Sequence, residues 1–151
     1  MIKIDNELVD RIARNLFGVL PLLRKRLLHM DTIQQEHGIP LSHVQVLSML
    51  NDTGSMSVSE ISRRLGIAKP NITPLVDRLI ETGLVDRQRD TVDRRVVNVV
   101  IQPEGIAKLS AIHSTLVEQV KEWSKNVEPG DFEELADALE TITRILNVAN
   151  G

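Results

Sequence analysis

Apolar residues recur every three or four positions from Leu8 through Ile12, Leu16, Val19, Leu23 and Leu27 to Met30. That spacing marks one stripe of a long helix from Asp5 to about Met30. Gly18 and Pro21 fall inside it, and Pro21 has no N–H for the Phe17 carbonyl, so a kink is expected rather than two helices. His37-Gly38-Ile39-Pro40 reads as a turn. Ser42 with Gln45 three residues on reads as a capping box for a short helix through Val44, Val46, Leu47 and Leu50, closed by Asn51-Asp52-Thr53-Gly54-Ser55. A second box, Ser57 with Glu60, opens a helix that turns Ile61 and Leu65 inward, with Gly66 just past its end. After Gly66-Ile67-Ala68 another helix turns Ile72, Leu75, Val76, Leu79 and Ile80 inward and stops before Gly83. Helix, short glycine turn, helix is the helix-turn-helix unit.

The period then changes. Leu84-Val85-Asp86-Arg87-Gln88-Arg89 and Val96-Val97-Asn98-Val99-Val100-Ile101 are β-rich runs joined by a polar stretch, which predicts a two-stranded hairpin. Pro103 starts a helix through Ile106, Leu109, Ile112, Leu116, Val120 and Trp123, broken at Glu128-Pro129-Gly130-Asp131. Trp123 lies on its apolar stripe and reads as packing. The last helix sets Phe132, Leu135, Leu139, Ile142, Leu146 and Ala149 at alternating three- and four-residue steps, an a/d seam. The expected fold is mainly α with a small β-hairpin wing: a winged helix-turn-helix at 41–101 plus terminal dimerisation helices at 5–31 and 103–149, all within one domain, 1–151.

The formal net charge is -3, which by itself argues against a phosphate-binding surface, but the charge is segregated. Between Ser62 and Arg95 stand eight basic residues (Arg63, Arg64, Lys69, Arg78, Arg87, Arg89, Arg94, Arg95) against five acidic ones (Asp77, Glu81, Asp86, Asp90, Asp93). From Glu118 to Asn150 the balance reverses, with three basic residues against eight acidic. The chain has no cysteine, which removes disulfides, thiolate metal sites, a cysteine nucleophile and thiol redox sensing. No window approaches the roughly 20 apolar residues that span a bilayer, so a soluble, cytoplasmic protein is expected. No P-loop, G-x-S-x-G, H-E-x-x-H or Rossmann glycine pattern appears, and an enzyme is not expected.

Basic and hydrogen-bonding groups gather on the second helix and the hairpin. Lys69, Asn71 and Thr73 fall in the first turn of that helix, where side chains enter a major groove roughly 12 Å wide and meet base edges. Arg94 and Arg95 at the hairpin tip suit a minor groove or a pair of phosphates. Ser57, Ser59, Arg63 and Arg78 complete the candidate DNA-contact set. Each has a plainer role: capping for Ser57, Ser59, Lys69 and Asn71, a solvated helix face for Arg63 and Arg64, a solvated hairpin tip for the wing arginines. The four histidines, His29, His37, His43 and His113, contain no H-x-x-x-H pair, and neither a metal site nor a cofactor is expected.

The run Ser57-Val58-Ser59-Glu60-Ile61-Ser62-Arg63-Arg64-Leu65-Gly66 through Asp90, the D-x-R wing motif at Asp93 and Arg95, and the following Ile101-Gln102-Pro103-Glu104-Gly105 resemble the MarR family of bacterial transcriptional regulators. Helix order and chain length resemble the family from end to end. The resemblance implies an obligate homodimer with interlocked terminal helices and two winged helices on a palindromic double-stranded DNA operator. It implies that Asn71 and Thr73 read the major groove, that Arg95 enters the minor groove and that Asp93 orients it. It implies a repressor released by a small aromatic or phenolic anion bound between the dimer helices and the winged lobe. Two positions depart from the pattern: Gln102 stands where a threonine cap is usual, and Pro74 where a polar or basic residue is common. A helix capped by Asn71 keeps Pro74 in its first turn; one opening at Ala68 puts Pro74 inside, and an early, distorted turn is the expectation. The alternative function is a winged-helix protein-interaction module without specific DNA binding, since a fold does not fix a function.

Overall fold

The computed structural model describes residues 4–149, so the outermost parts of the expected domain, 1–3 and 150–151, lie outside the described residues. In chain order the elements are α1 (Asn6–Arg26), α2 (Met30–His37), α3 (Leu41–Thr53), β1 (Ser55–Ser57), α4 (Val58–Leu65), α5 (Lys69–Glu81), β2 (Val85–Arg89), β3 (Val97–Ile101), α6 (Pro103–Ser124) and α7 (Pro129–Ala149). They form two compact units. One is a lobe from Met30 to Thr115; the other is helical and joins the described residues up to His29 with those from Leu116 onward.

In the lobe every element gives apolar side chains to one cluster: Ile33 from α2, Val46, Leu47 and Leu50 from α3, Met56 from β1, Ile61 from α4, Val85 and Val99 from the hairpin, Ile112 from α6. From α5 come Ile72, Leu75, Val76 and Leu79, the i, i+3, i+4, i+7 set of one helical face. Burying each such side chain stabilises the fold by about 1.5–3 kcal/mol. The antiparallel sheet has the order β1-β3-β2, with Met56 opposite Val99 and Val85 opposite Ile101.

The connection between α4 and α5 is fixed by local hydrogen bonds. Ser57 caps α4, its hydroxyl accepting the Glu60 N–H at 3.2 Å. At the other end Gly66 takes φ 65°, a left-handed conformation that glycine adopts without a Cβ clash, and the Ile67 N–H reaches back to the Ser62 carbonyl at 3.2 Å. The Ser62 hydroxyl in turn donates to the Ile67 carbonyl, so one serine holds both backbone groups of the turn residue. Gly105 is a different requirement. It sits buried in the first turn of α6, where a Cβ would come within 2.2 Å of the Leu84 carbonyl oxygen, so only glycine lets α6 pack on the start of the wing.

In the helical unit α1 and α7 present their stripes to solvent. α1 contains no buried residue, and Leu8, Ile12, Leu16 and Phe17 are all exposed. Leu23, Leu27, Leu116, Val120, Phe132, Leu135 and Leu139 line an apolar cavity of about 300 Å³ within this unit. Trp123 stacks at a tilt on Phe132, ring centres 6.1 Å apart, which is the packing role its stripe predicted.

Several local expectations need correction. The first helix ends at Arg26 instead of running to Met30: the Leu27 and Leu28 amides both turn back onto the Leu23 carbonyl, and Met30 opens α2 and packs on the lobe core. The apolar stripe is therefore shared between two clusters, which periodicity alone cannot reveal. Ser42 does not cap α3. That helix begins at Leu41 with extended Pro40 in the cap position, whose carbonyl accepts from His43 and Val44. The hairpin carries a third strand, β1, too short to show a period. Pro129 and Gly130 lie inside the first turn of α7, and the break falls before them. α5 does start early, at Lys69 after Ala68, and it runs unbroken through Pro74.

Candidate nucleic-acid interface

α5 holds the first group of candidate side chains because its buried face fixes its roll. With Ile72, Leu75, Val76 and Leu79 turned into the core, Lys69, Asn71 and Thr73 are exposed at its N-terminal end. Thr73 turns its hydroxyl back on the helix, donating to the Lys69 carbonyl at 3.2 Å. Among the described residues no side-chain hydrogen bond or ion pair engages Lys69 or Asn71, so an ammonium and an amide stand ready for an external partner. Arg78 lies two turns beyond Asn71, near the other end of α5, and pairs with Glu81 at 3.5 Å.

The wing supplies the second group. β2 and β3 are closed by a loop in which the Asp90 amide donates to Val96 and the Val96 amide to the Asp93 carbonyl. Asp93 and Arg95 face each other at the tip: the carboxylate accepts the Arg95 backbone N–H and Nε–H at 3.1 Å each and a terminal guanidinium N–H at 3.3 Å. The Arg95 side-chain and backbone hydrogen bonds hold the Asp93 carboxyl below its ordinary range, keeping it ionised. The Arg95 side chain remains 91% exposed, so it is oriented without being buried. Arg94 beside it is exposed as well.

α4 contributes less free charge than its sequence suggested. Glu60 lies within 3.6 Å of Arg63 and 3.4 Å of Arg64, so one carboxylate partly offsets both guanidinium groups. Ser57 spends its hydroxyl on the α4 cap, and Ser59 is exposed. An ion pair that spacing did not suggest joins Arg87 on β2 to Asp77 on α5, linking the wing to the helix beside it. The ten-residue separation hides it until the direction of the hairpin is known.

The lobe also carries an open-sided cavity of about 370 Å³ away from the N-terminal end of α5. His37, His43, Arg78, Thr82 and Lys108 bring polar and cationic groups to it, over walls that include Ile39, Leu79 and Leu84. Burial and then the charge of Arg78 lower the pKa of His43. At its edge His37 Nε2 lies 2.8 Å from the Thr115 hydroxyl, which also reaches Glu36 at 3.4 Å.

Two helices joined by a left-handed glycine turn, with the second presenting polar groups beside an arginine-tipped hairpin, define a winged helix-turn-helix protein. The MarR family model matches residues 39–97, from the turn before α3 to the start of β3, and over that stretch the chain is similar to that family. It is 32% identical over 78 residues to the HTH-type transcriptional repressor MdtR of Bacillus subtilis (strain 168), covering 52% of this chain and 50% of MdtR. The chain thus spans about half the length of that curated relative. The HTH-type transcriptional regulator TcaR of Staphylococcus aureus is 27% identical over 124 residues, covering 80% of this chain and 82% of TcaR. The solved structure of a MarR family protein from Bacillus stearothermophilus superposes with a TM-score of 0.75 at 19% identity, over 96% of this chain and 99% of that one, a likeness of fold.

Proposed function

We propose that this chain is a sequence-specific DNA-binding transcriptional regulator, a repressor that acts in the cytoplasm as a homodimer on a palindromic operator. The observation that carries the reading is the pairing of two exposed groups on one lobe: Lys69 and Asn71 at the start of α5, and Arg95 held by Asp93 at the wing tip. The first suits base edges in a major groove, the second an adjacent minor groove or phosphate. MdtR is named a repressor, which supports that sign of regulation here. The dimer rests on the exposed apolar stripes of α1 and α7, more hydrocarbon than a lone chain leaves in water. None of the described helices is long and apolar enough to cross a membrane.

Release by a small aromatic or phenolic anion is the regulatory part of the reading. It is supported by the cationic cavity, because Arg78 and Leu79 in its wall belong to α5 itself. A ligand that binds one setting of α5 better than another shifts the population by that difference in affinity and no more.

A protein-interaction module is the competing reading, and one observation favours it: Glu60 and Asp77 offset part of the basic charge of α4 and β2 from within the chain. The test is selection of bound fragments from a random duplex pool, followed by filter binding of the winner at two salt concentrations. The regulator reading expects enrichment of a two-fold symmetric site and a clearly negative log-log salt slope. A pool without enrichment and a slope near zero would leave the interaction module.

A further inference from the structure

We propose that Pro70 and Pro74 form an apolar ridge on α5 that reads the 5-methyl groups of thymine in the major groove. The inference rests on the DNA-binding reading above and adds to it the bases that the helix selects. Both prolines are exposed, and each stands two residues from fully buried Ile72. At 3.6 residues per turn that places each ring about 160° around the helix from the core direction, on the outward face. They are four residues apart, so the two rings lie one above the other on neighbouring turns.

Pro70 falls in the first turn of α5, where its missing N–H costs nothing, but Pro74 is not explained by the fold. Pro74 is inside the helix, where it withholds the N–H that the Pro70 carbonyl would otherwise accept, and its ring adds nothing to the buried cluster. A local rule broken on an exposed face, with no packing return, is the mark of a surface shaped for contact. The neighbours narrow the chemistry. The Thr73 hydroxyl has committed its hydrogen to the Lys69 carbonyl. Asn71 is exposed with its amide free among the described residues, and an asparagine amide matches the N6 and N7 edge of adenine. Hydrocarbon rings beside such an amide match the other half of the same base pair, because the thymine methyl is the apolar feature that the major groove displays. The N-terminal half of α5 is therefore built for A·T pairs, with Lys69 left to a phosphate or a purine acceptor.

The test starts from the full-length chain and a half-site selected from random duplex DNA. Each thymine of the winning site is replaced in turn by deoxyuridine, which removes the methyl and leaves base pairing intact. The expected result is a loss of about fourfold in affinity at one or two positions per half-site, the value of one buried methyl-sized group. The same substitutions should have no effect on the Pro70→Ser, Pro74→Ser double variant, which restores ordinary helical backbone and whose fold is checked by its thermal transition. A wild-type chain that binds its selected site tightly and is indifferent to uracil at every position overturns the methyl reading and leaves the regulator reading standing. Failure to enrich any sequence overturns both.

Discussion

The lobe and the terminal helices handle hydrophobic surface in opposite ways. In the lobe, Val46, Leu47, Leu50, Ile61, Ile72 and Val76 are completely buried by neighbours from the same chain. In α1 and α7, residues of the same chemical type and the same helical spacing stay open to water: Ile12 is 54% exposed, Ile142 53% and Leu146 57%. Periodicity is equally good in both regions, so it reports that a face must be covered and not by what. The lobe is covered by its own sheet and helices. The stripes of α1 and α7 are left for the second copy of the proposed dimer, and the contrast makes the two regions respond differently to mutation and to concentration.

The largest expected effect is in the lobe. Leu47→Ala removes a fully buried side chain from the centre of the cluster and should cost about 2–5 kcal/mol, read as a lower denaturation midpoint at every protein concentration. An equivalent truncation on the other surface, Leu146→Ala, should cost less and behave differently, with a midpoint that rises as the protein is concentrated. The charged pair Ile142→Glu, Leu146→Glu should reduce the light-scattering mass from two chains to one while the lobe stays folded. Retention of two chains in that variant would place the dimer contact elsewhere and remove the contrast.

Much of the lobe was legible because its signals are local. Ser57 as a cap, Gly66 as a left-handed terminator, the inward set of α5 and the two long strands each depend on residues within a few positions. What escaped depends on partners far along the chain. Three residues of β1 pair with β3 more than 40 positions later, and nothing in Ser55-Met56-Ser57 alone announces a strand. Met30 continues the spacing of α1, yet it packs with the lobe because the Leu27 and Leu28 amides close the helix first. At the interface the exposed positions Lys69, Asn71, Arg94 and Arg95 were readable as a pattern of polar groups, and the Asp93 to Arg95 hydrogen bonds follow from a two-residue spacing in a turn. The Arg87 to Asp77 pair and the gathering of His43, Arg78 and Lys108 around one cavity were not. Those need three-dimensional neighbours.

Within α5 the same comparison sharpens to adjacent residues. Ile72 serves the core and Asn71 the exterior, so Ile72→Ala should lower stability, and Asn71→Ala should leave stability alone. On the selected operator Asn71→Ala should lose about 1–3 kcal/mol, and less on random duplex, because a base-edge contact carries discrimination. Arg95→Ala should weaken binding to both DNAs and flatten the salt slope. Equal losses for Asn71→Ala on operator and random DNA would reassign that amide to the backbone.

The smallest effect separates the two cavities. The one in the helical unit is lined by apolar side chains, so its packing is indifferent to mild acid; the one in the lobe holds His43 among His37, Arg78 and Lys108. Burial and the Arg78 charge put the folded-state pKa of His43 below the ordinary 6.5. Above pH 6.5 the imidazole is neutral in both the folded and the unfolded chain, and its neutral burial contributes its full stability. As pH falls below that value the unfolded chain takes up the proton first, so stability declines until the lowered folded pKa is passed. His43→Gln keeps a polar side chain of similar size and removes the titration. Melting temperatures compared at about pH 7.5 and about pH 5.5 should therefore fall less in His43→Gln than in the wild-type chain. Equal falls in both proteins would mean that His43 titrates alike in the folded and unfolded chain, and the lobe cavity would then be as insensitive to mild acid as the apolar one.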